Sequence, residues 1–547
     1  MSQKTCLFLT PFFLVILLVL SFSKPSIPLP LSTSSRWILD ESTRNRVKLT
    51  CINWVGHLEP LIIEGLQKKP VSYIANQIVS MGFNCVRLTW ATYMFTRPNY
   101  TALTIATSLD KFGLKEAKVG IGMNNPEFLN LSLIEGQKKV IEKLGTNGIM
   151  VVLDNHVSKP QWCCSENDGN GFFGDVFFDP SEWLQGLSSV AKLYKDIPNV
   201  VAMSLRNELR GPLQNKDDWY KYIQEGISAV HEQNPSLLVI ISGLSYETDL
   251  SLLKERSLKV SFVNKIVLEA HWYSFYNPSQ KWFSQTNQLC ANLTQNFLSK
   301  SGFLLNSNNT PVPLFLSEFG VDQRGENEGD NRYLSCLLAT MAEYDLDWAL
   351  WTLQGSYILR QGVVNKEETY GILDAQWCAL RNPTLIQRRL HLVKQSIQDL
   401  SWNTPTNYII FHPQSGQCIQ ISEDDHVYLS DCGNFTTQWT HNVENTTSSI
   451  QLKGSFGCLR AVGDGHPAIV SSDCTSRTSF WKHIASSKLH IASQVEQGKY
   501  LCLEKNSSNS MIFTSKCLCL DDLGKDFLNC TENPQRQWFK FVPRNVK

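Results

Sequence analysis

Between residue 45 and about residue 400, short apolar runs alternate with longer helical stretches, and this alternation limits the possible folds more than any other feature. Eight runs rich in Val, Ile or Leu stand out, at residues 47–52, 85–88, 149–153, 200–205, 237–241, 265–268, 313–316 and 349–351. A near-continuous apolar run is what a parallel strand needs when helices cover both faces of its sheet. Successive runs begin about 30 to 65 residues apart, which is room for one crossover helix plus loops. Eight such units predict an α/β chain folded as a (β/α)8 TIM barrel, with a doubly wound open sheet as the rival on periodicity alone.

The pattern stops at a connector over residues 401–407. Beyond it the chain reads as strands and turns, with Cys and Trp at regular places. Cys418, Cys458 and Cys502 recur at intervals of 40 and 44 residues; Cys432 and Cys474 each precede a Trp by seven, and Cys530 precedes Trp538 by eight. A period near 42 residues marks a threefold internal repeat. We therefore expect an all-β domain over 408–547 after a barrel domain over 24–400. Each unit should bury its Trp at a shared axis. Each should close a loop with one disulfide: 418–432, 458–474, and 502 with 517, 519 or 530.

The other end of the chain sets the compartment. Lys4 precedes a continuous apolar run over 12–20, followed by small residues and a Pro-broken stretch. That is the layout of a secretory signal peptide over 1–23, and the run is short for a membrane span. Eight Asn-X-Ser/Thr acceptors agree, so a secreted protein, extracellular or in the cell wall, is expected. Of 16 Cys, one falls in the leader, seven in the barrel and eight in the last domain. The odd barrel set must leave one thiol free or paired outside its own region. Nothing has metal-ligand spacing, so neither metal nor cofactor is expected. With 50 basic against 50 acidic residues and no basic stripe, a nucleic-acid partner is excluded. No membrane contact is expected after leader cleavage, and a monomer is.

In a barrel of this kind the working residues sit at the C-terminal ends of the strands. Six of the eight strands deliver polar or aromatic groups there: Arg87 on the second, His156 on the third, Asn207 and Glu208 on the fourth. The sixth brings His271 and Tyr273, the seventh Glu318 and the eighth Trp351. Two glutamates facing across a barrel mouth suit glycosidic bond cleavage, one as proton donor and the other as nucleophile or base. Arg87 should hold Glu318 as an anion, and a site less compensated for charge should keep Glu208 protonated. Tyr273 can donate to the nucleophile, Asn207 to a sugar hydroxyl, and Trp351 offers a flat wall for a pyranose.

These residues carry a resemblance. Residues 45–380 resemble the retaining (β/α)8 glycosidases, and more narrowly glycoside hydrolase family 5, the cellulase family. The order Arg, His, Asn, Glu, His, Tyr, Glu, Trp of its active-site positions is met by the eight residues just named. The resemblance implies that Glu208 is the acid/base, that Glu318 is the nucleophile, and that the other six position sugar and carboxylates. One departure is Leu209, where the family usually has Pro after the Glu. Residues 407–547 resemble a ricin B-type β-trefoil lectin domain, with a degraded Gln-x-Trp signature at Trp439, Trp481 and Trp538. Gln420, Arg460 and Glu504 stand where sugar-binding units usually place Asp. A glycan bound by this domain is a partner the resemblance allows.

The expectation is a secreted retaining endo-β-glycosidase acting on a cell-wall polysaccharide or its oligosaccharides, β-1,4-glucan first and mannan next. An inactive carbohydrate-binding protein and a transglycosylase are the alternatives. Loops at 90–130, 158–180 and 275–310 should set the substrate. The second of these, with Trp162, Cys163, Cys164 and four Phe, reads as a sugar platform or as packing.

Overall fold

The computed structural model describes residues 30–545 except 276, 278, 306–310, 401–406, 435–436, 442–446, 521–529 and 531. The leader and most of the connector lie outside the described residues. A hairpin of β1 (Leu31–Ser34) and β2 (Trp37–Asp40) comes first. The barrel strands follow: β3 (Thr50–Trp54), β4 (Cys85–Ala91), β5 (Met150–Val157), β6 (Val200–Ser204), β7 (Leu238–Ser242), β8 (Ile266–His271), β9 (Leu314–Phe319) and β10 (Asp347–Leu350). All are parallel, and β10 pairs with both β9 and β3, so the sheet closes and the open-sheet rival is excluded.

Every expected strand is present, but several run further toward their C-terminal ends than the apolar runs do. The cause is the two-residue period of a strand. On β4 the inward face reads Cys85, Arg87, Thr89; on β5 Val152, Asp154, His156; on β8 Val267, Glu269, His271. The first of each set belongs to an apolar cluster filling the lower barrel. The next layer up is polar yet buried. Arg87 and His156 are therefore inward residues within strands, not loop residues after them. Leu31 and Ile38 of the hairpin join the lower cluster and plug that end of the barrel, which the sequence reading did not foresee.

The outer helices start where local chemistry dictates. Ser132 and Glu135 form a capping box at Leu133–Thr146, and Asp179 caps Pro180–Leu193 with Pro at its first position. The helix Glu328–Tyr344 is different, being buried almost all round. The C-terminal domain covers its outer side. Arg332 donates to the carbonyls of Cys530 and Glu532 at 3.1 and 3.0 Å, and Lys540 pairs with Glu343 at 2.7 Å.

That domain has thirteen described strands, from Tyr408–His412 to Lys540–Pro543, and every pairing among them is antiparallel. Disulfides close 418–432, 458–474 and 502–517 as expected, and 519–530 adds a fourth. Trp439, Trp481 and Trp538 are all fully buried. Trp439 and Trp481 share the domain's own core, whereas Trp538 joins the cluster that runs into the barrel. In the barrel, Cys51–Cys85, Cys163–Cys164 and Cys290–Cys336 are paired. Cys378, left over from these pairs, is also disulfide-bonded, so no described cysteine is free.

Candidate active site

The site is built around one guanidinium. Arg87 on β4 is fully buried. Its Nη1 donates to Glu318 Oε1 at 2.8 Å and to Asn53 Oδ1 at 3.0 Å, and its Nη2 donates to Asn207 Oδ1 at 3.0 Å. Nη2 also lies 3.0 Å from Asp154 and 3.6 Å from Glu269. Burial alone would discharge it, but the carboxylates of Asp154, Glu269 and Glu318 outweigh burial and hold its pKa above the usual value.

Glu318, on β9, receives one further donor and faces one further cation. Tyr273 donates to Oε2 at 3.1 Å, and His271, its register partner on β8, has Nδ1 3.7 Å away. Burial keeps Tyr273 protonated, and hence a donor. Burial also outweighs His271 and Arg87 at Glu318 and pushes its pKa up to about 7. Arg87 does contact Glu318 as expected, but it does not lower the carboxyl's pKa below the usual value. The physical reason is crowding: Asp154, Glu247, Glu269 and Glu318 are buried together around Arg87 and His271. Glu269, driven first by burial and then by Glu247, is raised to about 8.

Glu208 follows β6 in a left-handed conformation, φ 44°. Its Oε1 accepts from His271 Nδ1 at 2.9 Å. One oxygen of Glu208, one of Glu318 and a His271 nitrogen all lie within 4.8 Å of one another. His156 bonds Asp154 through Nδ1 at 2.6 Å and stacks on Trp351 with ring centroids 5.7 Å apart. Its pKa is held well below normal by burial first, then by Arg87, so it is neutral. All eight residues singled out from the sequence thus meet at one rim.

Sequence reading passed over the first and fifth strands, and both contribute. Within β3, Asn53 anchors Arg87, and beyond the strand His57 stacks on His156 at 4.1 Å. Beyond β7, Glu247 is fully buried and its Oε2 lies 2.7 Å from His271 Nε2, at ion-pair distance. The signal was positional: in a barrel with polar residues at six rims, the polar residue nearest each remaining rim is worth reading.

A cleft of about 800 Å³ opens over these groups. Trp162, Trp351, Tyr273, Phe275 and Tyr370 line it, together with the Cys163–Cys164 pair. The 158–180 loop therefore divides. Trp162 and the cysteines face the cleft, while Phe172, Phe173 and Phe178 pack in the core around Trp183. A segment not expected from sequence, residues 357–370, adds Arg360 stacked over Trp162 at 3.3 Å.

Residues 53–356 match the model of the cellulase family, glycosyl hydrolase family 5. A glycosyl hydrolase 5 family protein of Chamaecyparis obtusa is 45% identical over 545 residues, spanning 97% of this chain and 96% of that one. An endoglucanase of Paenibacillus polymyxa is 22% identical over 64% of this chain and 84% of its own length. The catalytic domain of the major endoglucanase from Xanthomonas campestris pv. campestris shares the barrel fold, with a TM-score of 0.53 at 22% identity over 66% of this chain and 98% of that one. A closed barrel carrying two converging glutamates, a family match over more than half the chain and a relative alike across both domains lead to one conclusion. The chain belongs to glycosyl hydrolase family 5, the cellulase family, and is a glycoside hydrolase.

Proposed function

We propose that the protein is a secreted, retaining endo-β-glycosidase that cleaves a cell-wall polysaccharide, β-1,4-glucan before mannan. The observation that carries this reading is the approach of Glu208 and Glu318 to within 4.8 Å beneath an aromatic cleft. Retaining glycosidases set their carboxyl groups about 5–5.5 Å apart, whereas inverting ones leave about 6.5–9.5 Å for a water. Glu318, held by hydrogen bonds from Arg87 and Tyr273, serves as nucleophile. It attacks the anomeric carbon while Glu208 protonates the leaving oxygen. Glu208 then takes a proton from the water that opens the glycosyl-enzyme. Seven described disulfides favour an oxidising compartment.

In the same reading the C-terminal domain is a ricin B-type β-trefoil. The residues standing at its usual Asp positions are engaged within the domain. Gln420 accepts from Thr437 at 2.7 Å, Arg460 donates to Thr478 at 3.1 Å, and Glu504 accepts from Gln537 at 2.6 Å. This favours covering the barrel over binding galactose-type sugars. The test is reducing-sugar release from a panel of β-1,4-glucans, mannans and xylans. Glucan should be cleaved fastest, and Glu318→Gln should abolish release; undiminished release by that variant would overturn the reading.

A further inference from the structure

The loop after β7 carries three consecutive non-glycine residues in the left-handed region: Ser245, Tyr246 and Glu247, at φ 56°, 59° and 59°. Such a run persists only where its surroundings hold it. Here the Ser245 amide donates to Gln214 Oε1 at 2.7 Å, the Tyr246 amide to the Leu209 carbonyl at 3.0 Å, and the Glu247 carbonyl accepts from the His271 amide at 3.1 Å. The outcome of this folding is a closed circuit. Glu247 Oε1 accepts from the Glu208 backbone N–H at 2.7 Å, and Glu247 Oε2 meets His271 Nε2 at 2.7 Å. His271 Nδ1 returns to Glu208 Oε1 at 2.9 Å. Ser317 Oγ donates to Glu247 Oε2 at 3.4 Å.

We infer that Glu247 is the positioning residue of the acid/base, fixing the direction and the charge of His271 against Glu208. The inference rests on the reading of Glu208 as acid/base. With a Glu208 oxygen 2.9 Å from Nδ1 and a Glu247 oxygen 2.7 Å from Nε2, His271 is held as an imidazolium between two carboxylates. A bare imidazolium beside Glu208 would hold that carboxyl ionised and useless as a donor. Paired with the Glu247 carboxylate, the imidazolium presents a hydrogen bond without a net charge, and Glu208 can keep the proton it must deliver. The other charged groups facing His271 are Glu318 on β9 at 3.7 Å and, deeper in the barrel, Arg87, Asp154 and Glu269. Burial opposes the cation, and Glu247 and Glu318 outweigh burial to keep the His271 pKa raised.

The test compares wild type with Glu247→Gln, whose amide oxygen still accepts from Glu208 N–H but carries no charge. Two cellotriosides serve as probes: one with a 2,4-dinitrophenol leaving group, which needs no proton, and one with a plain sugar leaving group, which does. The plain substrate should lose about 10- to 100-fold in kcat/KM with KM little changed, while the activated one changes less than about threefold. The basic limb of kcat/KM should move to lower pH. Equal losses on both substrates, or a basic limb that stays or moves upward, would overturn the inference. If the variant does not fold, nitrogen-15 NMR of the wild-type imidazoles decides: His271, identified with His271→Asn, should keep both nitrogens protonated at pH 8, and a neutral ring there would overturn it. Glu208→Gln separates the two ideas. It must show the same leaving-group discrimination more deeply, and if it shows none, the acid/base reading fails while the imidazole spectrum still judges Glu247.

Discussion

At the scale of single residues, the site is a problem of too many negative charges. Arg87 can compensate only part of what Asp154, Glu269 and Glu318 bring, so protons are held inside the barrel at pH values where free carboxyls have lost them. This has a consequence for stability. Glu269, at about 8 when folded, stays protonated through the neutral range, while in the unfolded chain it ionises near the ordinary 4.5. The folded state then binds more protons than the unfolded one, and stability falls as pH rises. Neutral, buried His57 and His156 act oppositely, but only below their ordinary value of 6.5. Between pH 6.5 and 8 the thermal midpoint should therefore drop, Glu269 contributing at most about 1.4 kcal/mol per pH unit. Glu269→Gln should flatten the curve; an unchanged slope in that variant would refute the account. Activity has its own sign: ionised Glu318 is the nucleophile, so the acid limb of kcat/KM should lie above an ordinary glutamate's 4.5.

At the scale of elements, the eight strands were legible because burial on both faces leaves an unmistakable apolar run. Their upper ends were not, because inward residues there are polar by function, and the apolar runs stop at Thr89, Asp154 or Glu269. The eight site residues were readable from strand order, but Glu247 and His57 were not. Their side chains return to the site from loops whose path no periodicity reveals. Gly320 shows how tightly these ends are set. A Cβ there would stand 2.5 Å from the Trp351 carbonyl oxygen and 3.0 Å from the Tyr370 ring. Gly320→Ala should push Trp351 and Glu318 apart, lowering kcat with the fold intact, as circular dichroism would verify; wild-type kcat would show that the approach is not needed. In the C-terminal domain, Trp481 is fully buried and donates to the Leu459 carbonyl at 2.8 Å. Trp481→Ala should cost about 3–5 kcal/mol of stability by denaturant titration, as large-to-small core changes do.

At the scale of the whole molecule, the division into two domains was legible from the change of period, but their union was not. A barrel's outer helices are ordinarily amphipathic, and the expectation of a lectin-like domain that could bind a glycan said nothing of how it meets the barrel. Within the helix Glu328–Tyr344, the stretch Leu334–Ala342 held the contrary sign, since a helical stretch apolar nearly all round is a buried one. Removing residues 401–547 should strip that face and leave a barrel that is insoluble or melts more than about 10 °C lower; a truncated barrel of unchanged midpoint would show that the cover is dispensable. The central claim is chemical: Glu318 forms a covalent glycosyl-enzyme, and Glu208 assists both its formation and its hydrolysis. Proton NMR of the first minutes of β-1,4-glucan oligosaccharide cleavage tests it most directly. The account predicts that the newly released reducing end appears first as the β-anomer and that no such signal appears with Glu318→Gln, whereas first appearance of the α-anomer would contradict it.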